Sequence, residues 1–576
     1  MNVLQTIAGK IGLVLLVAMV AVGCDSFLTV DDNPNQPNRE RALANPGDVE
    51  SLIGDSFFQY WSGWHGWNPS QGLTNAANEF RGGFPFPVKR ILGRVPRVEW
   101  NNSPSFDGSG HTAGPWGSLY GAISAANDGI SAIEQARENE NQQFLSQIDS
   151  KRAEAFGKFV QGISHASIAA MFDRAFVVTE DTTFEQEAPA LVGYPKVMSR
   201  AMEMFDESIS IAQNNSFQFP STWINGNAMT SDEFIRFVRA VKARKMTQVA
   251  RTPEERAHDG SENPMTNDTP GLINWNEVVE LTQPENSIQE NFVVQLDGLG
   301  GNLWGMFNTW VLGQSDSWGR VSYYTLGPAG NKSADEGTSF SEWLQEPTTR
   351  SEERPQYTIH TQDRRIVGEP ADSVAGTPAQ WEVSGTDYMN LGYGFASDYA
   401  GVRLTNGVAQ PDILTNDDVG PNTGSNLVGP LPWILKAEVD LMRAEGLLRT
   451  GGSRAVVQNL INNTREVRGE LPPATSSNPI GSWEDPPKNG YPSNGYSDVS
   501  LWSMMKYEKT IEQYVTATGL SYFDKRGWED LVAGTPLQFP IPGGELVTLQ
   551  MSQYTFGGNP EDTYSADPGW NPSDFK

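Results

Sequence analysis

Two groups of aromatic residues in glycine- and asparagine-rich surroundings are the strongest candidates for chemistry in this sequence. A flat indole face packs against the apolar C–H face of a sugar ring, while nearby amides and carboxylates hydrogen-bond the hydroxyls. The pattern therefore predicts a glycan-binding platform. Its candidate residues are Trp61, Trp64, Trp67, Trp304, Trp310, Trp318, Tyr323 and Tyr324. Burial in the core is the competing interpretation for any single ring, because a spacing of three places rings on one helix face.

A pair of carboxylates near the C-terminus offers a second kind of chemistry. Glu508 and Glu512 are one helical turn apart, and Arg526 follows them. One interpretation is a charge network between stacked helices, and the other is a catalytic carboxylate pair. We favour the network, because paired acids recur on helices and nothing else nearby suggests a site.

Signals for hydrolytic, metal or cofactor chemistry are weak. Gly54–Ser56 has the shape of a nucleophile motif but lies in a helix-like run with no preceding buried strand, and Gly162–His165 lies inside an apolar helix pattern. The five histidines lack metal-ligand spacing, and Asn416–Asp418 lacks the alternating ligands of a calcium loop. The sequence therefore predicts a protein that is not an enzyme and has no metal or cofactor. A lipid-anchored polysaccharide hydrolase is the less favoured alternative.

The N-terminus predicts an exported, lipid-anchored protein. Lys10 precedes the apolar run Ile11–Gly23, which is too short to span a bilayer and ends in small residues. Ala21–Cys24 has the form of a bacterial lipobox, and Cys24 is the only cysteine. We therefore expect residues 1–23 to be a signal peptide and Cys24 to carry lipid. A free, buried thiol behind an uncleaved anchor is the alternative. Residues 24–45 are polar and broken by proline, as in a tether.

The length and net charge of the chain limit the kinds of partner that the protein is expected to bind. A chain of 576 residues can bury a large core. Its net charge of −29 argues against nucleic acid as a partner, because phosphate binding needs a basic patch. The same charge disfavours adsorption to anionic lipid and keeps an exposed protein soluble.

Apolar residues at alternating spacings of three and four predict a mainly α fold. The clearest unit is a helix hairpin, in which apolar faces over 434–448 and 457–467 flank Thr450–Ser453, a Gly stop followed by a Ser start. Such hairpins bury little alone and must stack, as in tetratricopeptide-like arrays. We expect one helical domain over 46–576. Long loop insertions are expected near residues 60–114, 283–431 and 472–500.

Several weak motifs, in order along nearly the whole chain, carry a resemblance to a known family. Cys24–Leu28 follows the lipobox, Trp116–Tyr120 opens a helix, and Lys436–Glu445 matches a pattern of paired acids on a helix. The most specific piece is C-terminal: Glu508 and Glu512, then Tyr522–Trp528, Phe539–Pro542 and Glu545. In this order the motifs resemble those of the SusD/RagB family of nutrient-binding lipoproteins.

The resemblance implies a location, a ligand and a partner. It implies a lipoprotein of the cell outer membrane, exposed at the surface, that binds a nutrient, most simply an oligosaccharide. It further implies that the protein acts as a lid for a SusC-like TonB-dependent transporter. A peptide-binding lid of the same type is the alternative, and the acidic surface does not separate the two.

Overall fold

A computed structural model of the protein describes most of the chain after the expected tether. The described ranges are 45–81, 87–138, 145–182, 189–257, 271–298, 303–306, 320–329, 361–367, 379–381, 399–401, 428–488 and 496–558. Within them the protein is mainly α-helical, and its strands form short antiparallel pairs. The predicted mainly α fold is confirmed. The expected signal peptide and Cys24 lie outside the described residues.

The helices follow one another with few strands between them. They are α1 (Pro46–Trp64), α2 (Trp67–Ala76), α3 (Pro87–Gly93), α4 (Gly110–Glu138), α5 (Gln147–Met171), α6 (Tyr194–Gln213), α7 (Ser231–Thr247), α8 (Pro253–Arg256), α9 (Trp275–Leu281), α10 (Tyr323–Leu326), α11 (Arg364–Val367), α12 (Lys436–Thr450), α13 (Arg454–Arg465), α14 (Leu501–Glu512), α15 (Leu520–Gly527) and α16 (Gly543–Thr548). The strands are β1 (Phe80–Arg81), β2 (Arg174–Phe176), β3 (Leu191–Gly193), β4 (Gln218–Phe219), β5 (Met229–Thr230), β6 (Phe292–Asp297), β7 (Arg320–Val321), β8 (Ala379–Trp381), β9 (Tyr399–Gly401) and β10 (Val428–Ile434).

The N-terminal half is a stack of packed helices centred on α5. Helix α4 packs against α1 and α5, α5 also contacts α6, and α6 contacts α7. Helix α5 is buried almost all round over Ala153–Met171, as expected of a central helix. Helix α7 begins with a capping box, in which Thr230 and Glu233 exchange side-chain and backbone hydrogen bonds.

The predicted helix hairpin in the C-terminal half is α12 followed by α13. Gly451 ends α12 in the left-handed conformation, with φ 69°, and Gly452 N donates to Leu447 O at 2.7 Å. Ser453 is the N-cap of α13, although its side chain makes no capping bond. Helices α9 and α14 pack against α12. This half has its own small apolar cluster beside the main core.

The first expected loop insertion, residues 60–114, is helical over much of its described length. Tyr60, Trp61 and Trp64 continue the apolar face of α1, and α2 follows after Gly66. The expectation of a loop rested on the glycine- and tryptophan-rich composition. It is wrong for these helical segments, because Trp61 and Trp64 are spaced for burial on one helix face.

The second expected insertion, residues 283–431, begins and ends at a shared β ladder. Strand β6 pairs antiparallel with β10, with Val294 opposite Leu431. The chain therefore leaves and re-enters the helical body at one place, and the described pieces between include β7, α10 and α11. The third insertion, 472–500, is irregular where described, apart from a 3-10 turn at Tyr496–Asp498.

The search for a membrane-spanning helix gave a negative result within the described ranges, where each helix is too short or too polar to cross a bilayer.

Candidate functional site

Two rings of the first candidate group lie inside the helical core. Trp61 is 0% and Trp64 2% exposed, since both extend the buried stripe of α1. The Trp61 indole N–H donates to Gly305 O at 2.8 Å. Trp64 stacks on Phe523 with a centroid separation of 6.3 Å, and Lys245 Nζ lies 4.7 Å from the centre of the Trp64 ring. In this conformation neither ring presents a face to a ligand in solvent.

Trp304 of the second group lies in the same core as Trp61 and Trp64. Trp304 lies with its ring centroid 5.6 Å from that of Trp61 and 5.2 Å from that of Phe58. It is fixed by two hydrogen bonds with Asp297: Trp304 N donates to Oδ1 at 2.7 Å, and Asp297 N donates to Trp304 O at 3.0 Å. Trp433, which the sequence reasoning did not single out, completes the set at 5.4 Å from Trp61. Trp61 and Trp304, more than 200 positions apart in the chain, thus pack together in the core.

Two of the remaining candidates keep part of their ring accessible. Trp67, the first residue of α2, is 38% exposed, and Tyr324 on α10 is half-buried, whereas Tyr323 beside it is buried. Helix α10 is held against the end of α2, because Ser322 N donates to Glu79 O at 3.0 Å and Thr325 Oγ1 to Asn78 O at 2.9 Å. Trp310 and Trp318 lie outside the described residues.

An open pocket, which we call the Trp223 pocket, lies where α1, α5 and the β4–β5 loop meet. Its volume is about 470 Å³. The lining residues are Glu50, Ser51, Arg152, Gln218, Phe219, Pro220, Trp223 and Ala228. None of them was singled out from the sequence. The one local signal is Trp223, an isolated tryptophan in a polar, proline-broken stretch, and the other members come from segments far apart in the chain.

Arg152 sets the charge of the Trp223 pocket. Its Nη2 forms ion pairs with Glu50 and, at 3.0 Å, with Asp149 Oδ1. Nη1 donates to Gln218 O at 3.3 Å, and the guanidinium carbon lies 5.7 Å from the centre of the Trp223 ring. One cation therefore faces two carboxylates, and the pocket is slightly acidic.

The paired carboxylates belong to an ion network, which confirms part of the expected arrangement. Glu508 and Glu512 both accept from Arg365 Nη1, at 2.5 and 2.9 Å, and Asp363 accepts from Arg365 Nη2 at 2.7 Å. Burial raises the pKa of Glu508, against the opposing effect of Arg365. The cation that holds the pair is thus on α11, within the second insertion, and no local pattern pointed to it.

The expected participation of Arg526 in that network is wrong. Its guanidinium donates to four backbone carbonyls, of Ala170, Gln248, Ala250 and Leu537, at 2.6–2.9 Å. The first two lie at the C-terminal ends of α5 and α7, where carbonyls lack helical partners and the helix dipole favours a cation. Arg526 therefore ties two helix ends to the C-terminal segment.

Other acids of the family-like motifs also form buried ion pairs between helices. Glu438 is bound by Arg244 through two bonds of 2.6 Å, and Glu445 by Arg256 through two bonds of 2.8 Å. Asp524 accepts from the same Arg256 at 2.7 Å. Bidentate pairing of this kind fixes helix orientation, so these motif residues serve packing.

The weak hydrolase motifs lie on helices. Ser56 Oγ donates to Ile53 O at 2.6 Å within α1. His165 is buried in α5, where Nδ1 lies 2.8 Å from Gln161 O and Nε2 accepts from Val178 N at 3.2 Å. Both ring nitrogens are thus engaged with backbone groups. Among the described residues, no group of three His, Cys, Asp or Glu is placed to hold a metal ion.

Comparison with known proteins gives matches to solved structures. No protein-family model and no curated protein sequence matches the chain. The solved structure named BT4246 aligns with a TM-score of 0.50 at 13% identity, over 90% of this chain and 95% of that one. A SusD superfamily protein from Bacteroides vulgatus aligns with a TM-score of 0.49 at 13% identity, covering 88% and 97%. A SusD-like carbohydrate binding protein from Bacteroides fragilis gives 0.47 and 14%, covering 92% and 93%.

The fold is similar to that of the solved structure BT4246, at a TM-score of 0.50 and 13% identity. This likeness concerns the fold alone, and the SusD/RagB family remains what the sequence motifs imply. Identities of 13–14% carry no ligand or partner from those proteins to this one.

Proposed function

We propose that this protein is a surface-exposed, lipid-anchored nutrient-binding protein that captures an oligosaccharide. The main support is the order of motifs after the lipobox, together with a fold that aligns with BT4246 over 90% of this chain at a TM-score of 0.50. An oligosaccharide is the nutrient that the resemblance of these motifs most simply implies. The protein holds its cargo without cleaving it.

The proposal includes an anchor and a partner. Cys24 carries the lipid that holds the protein at the outer membrane, with residues 24–45 as a tether. The helical body acts as a lid for a SusC-like TonB-dependent transporter, to which it passes its cargo. In detergent-solubilised outer membranes, we expect the protein to copurify with such a transporter. The Cys24→Ala variant should be lost from the membrane fraction, and its retention there would contradict the anchor.

Ligand capture is tested through the rings that remain candidates. Trp67→Ala and Trp310→Ala should each weaken oligosaccharide binding by about threefold to tenfold, because one stacking contact contributes about 1 kcal/mol. Isothermal titration calorimetry with oligosaccharide and peptide panels measures the effect, and Trp483→Ala, a half-buried ring of the smaller apolar cluster, is the control. Binding of peptides alone would favour the alternative cargo. Release of reducing sugar by the isolated protein would favour the hydrolase.

A further inference from the structure

We propose that the Trp223 pocket is a binding site for one or two rings of a neutral saccharide. This inference rests on the function proposed above. It specifies where the saccharide binds and that the saccharide is uncharged. The pocket involves none of the residues that the sequence reasoning selected, and its lining combines apolar and hydrogen-bonding groups.

Size and lining fit a sugar. A volume of about 470 Å³ lies within the range of small-ligand sites. The apolar part of the lining comes from Phe219, Pro220, Trp223 and Ala228, and the polar part from Glu50, Ser51, Arg152 and Gln218. Apolar surface beside hydrogen-bonding groups suits a pyranose, because its ring carbons are apolar and its rim carries hydroxyls.

The apolar side of the pocket is fixed before any ligand arrives. Trp223 is 6% exposed, and its ring centroid lies 4.8 Å from that of Phe156 and 5.7 Å from that of Phe219. The loop that carries it is tied to β6: Asn225 Nδ2 donates to Gln295 O at 2.8 Å, and Gln295 N donates to Asn225 O at 2.9 Å. A preorganised wall lowers the ordering cost of binding.

Charge selects a neutral ligand over an acidic one. An acidic sugar would need a free cation, but Arg152 is already paired with Glu50 and Asp149. A uronate or phosphorylated sugar would therefore bring a third negative charge beside a single cation. Vicinal hydroxyls, by contrast, can accept from the guanidinium and donate to the Glu50 carboxylate.

A bulky side chain at an exposed lining position should fill the Trp223 pocket without removing a contact of the core. Ser51 and Ala228 are exposed and line it, whereas Ser210 is an exposed serine on α6 that does not. We would compare Ser51→Trp and Ala228→Trp with the matched control Ser210→Trp, after thermal unfolding shows that all three are folded. The probes for calorimetry are neutral gluco-, manno- and galacto-oligosaccharides, with oligogalacturonides as the acidic set.

The expected result is binding of a neutral probe by the wild type, a loss of at least about tenfold in both pocket variants, and a change within about twofold in Ser210→Trp. If the wild type binds a neutral probe and the pocket variants bind it equally well, the Trp223 pocket is not the binding site, and the proposed function stands. Tighter binding of oligogalacturonides than of the neutral probes would overturn the proposal that the ligand is neutral. If the wild type binds no saccharide, both the pocket and the oligosaccharide function are overturned.

Discussion

At the scale of single residues, the acids of the recognised motifs act mainly as partners of buried arginines. Arg365 shows this most clearly, because one guanidinium contacts Asp363, Glu508 and Glu512, and all four residues are almost fully buried. Arg468 Nη1 adds a second ion pair to Glu512 at 2.9 Å. Buried ions are costly to desolvate, so such a cluster is stable only while every charge is compensated.

Removing Arg365 should therefore destabilise the protein strongly. We expect Arg365→Ala to lower the free energy of unfolding by about 3–5 kcal/mol, because it leaves carboxylates buried without their main cation. Denaturant unfolding measures this loss. The adjacent Arg364→Ala is the control, since its ion pair with the exposed Glu470 is worth about 1 kcal/mol or less. Equal effects of the two substitutions would show that the network does not stabilise the fold.

At the scale of elements, helix ends are set by local signals that the sequence displays. The α12–α13 hairpin turns at Gly451, and α7 starts at the Thr230 capping box. Each signal satisfies backbone groups that lack a partner within the helix. This is why the predicted hairpin matches the structure closely.

The left-handed conformation of Gly451 can be tested against a helical glycine. A Cβ at Gly451 meets nothing within 4 Å, so Gly451→Ala should cost only the backbone strain of φ 69°, about 1 kcal/mol. Gly117, inside α4, also has open space around it, and Gly117→Ala should stabilise by roughly 0.5–1 kcal/mol. Thermal and urea unfolding of the two variants should thus change in opposite directions. Shifts of the same sign would contradict the strain at Gly451.

At the scale of the whole molecule, buried titratable groups act in opposite directions on stability. Burial lowers the pKa of His111 and His165 to about 4, so these neutral side chains favour unfolding as the pH falls below 6.5. Burial raises the pKa of Glu79 to about 7 and that of Asp173 to about 6. These acids favour the folded state on acidification, so the two sets partly cancel.

A substitution at Glu79 should isolate the contribution of this one carboxyl group to the pH dependence of stability. The folded state binds its proton below about pH 7 and the unfolded state only below about 4.5, so this group stabilises the protein as the pH falls between those values. Over this range, protonation of Glu79 should raise the free energy of unfolding by about 3 kcal/mol. Relative to Glu79→Gln, whose amide can still accept from Val515 N, the wild type should gain that stability between pH 7 and 4.5. Urea unfolding across this range measures the difference, with the exposed Glu254→Gln as control. A constant difference would show that Glu79 is ionised in the folded state.

The sequence by itself determined the mainly α class, the helix hairpin and the order of motifs that resembles SusD/RagB proteins. These features depend on apolar spacing and caps within a few residues, and such short-range rules hold wherever the segment packs. The expected export signal and lipid site are equally local, and they remain predictions.

Only the tertiary structure decided which aromatic rings are buried and which cations meet the motif acids. Arg244 and Glu438 are 194 positions apart, and the Trp223 pocket joins Glu50 to Arg152 across 102 positions. Trp61 and Trp67 have similar sequence surroundings, yet one lies in the core and the other is exposed. Burial and ion pairing depend on which segments pack together, and local periodicity does not carry that information.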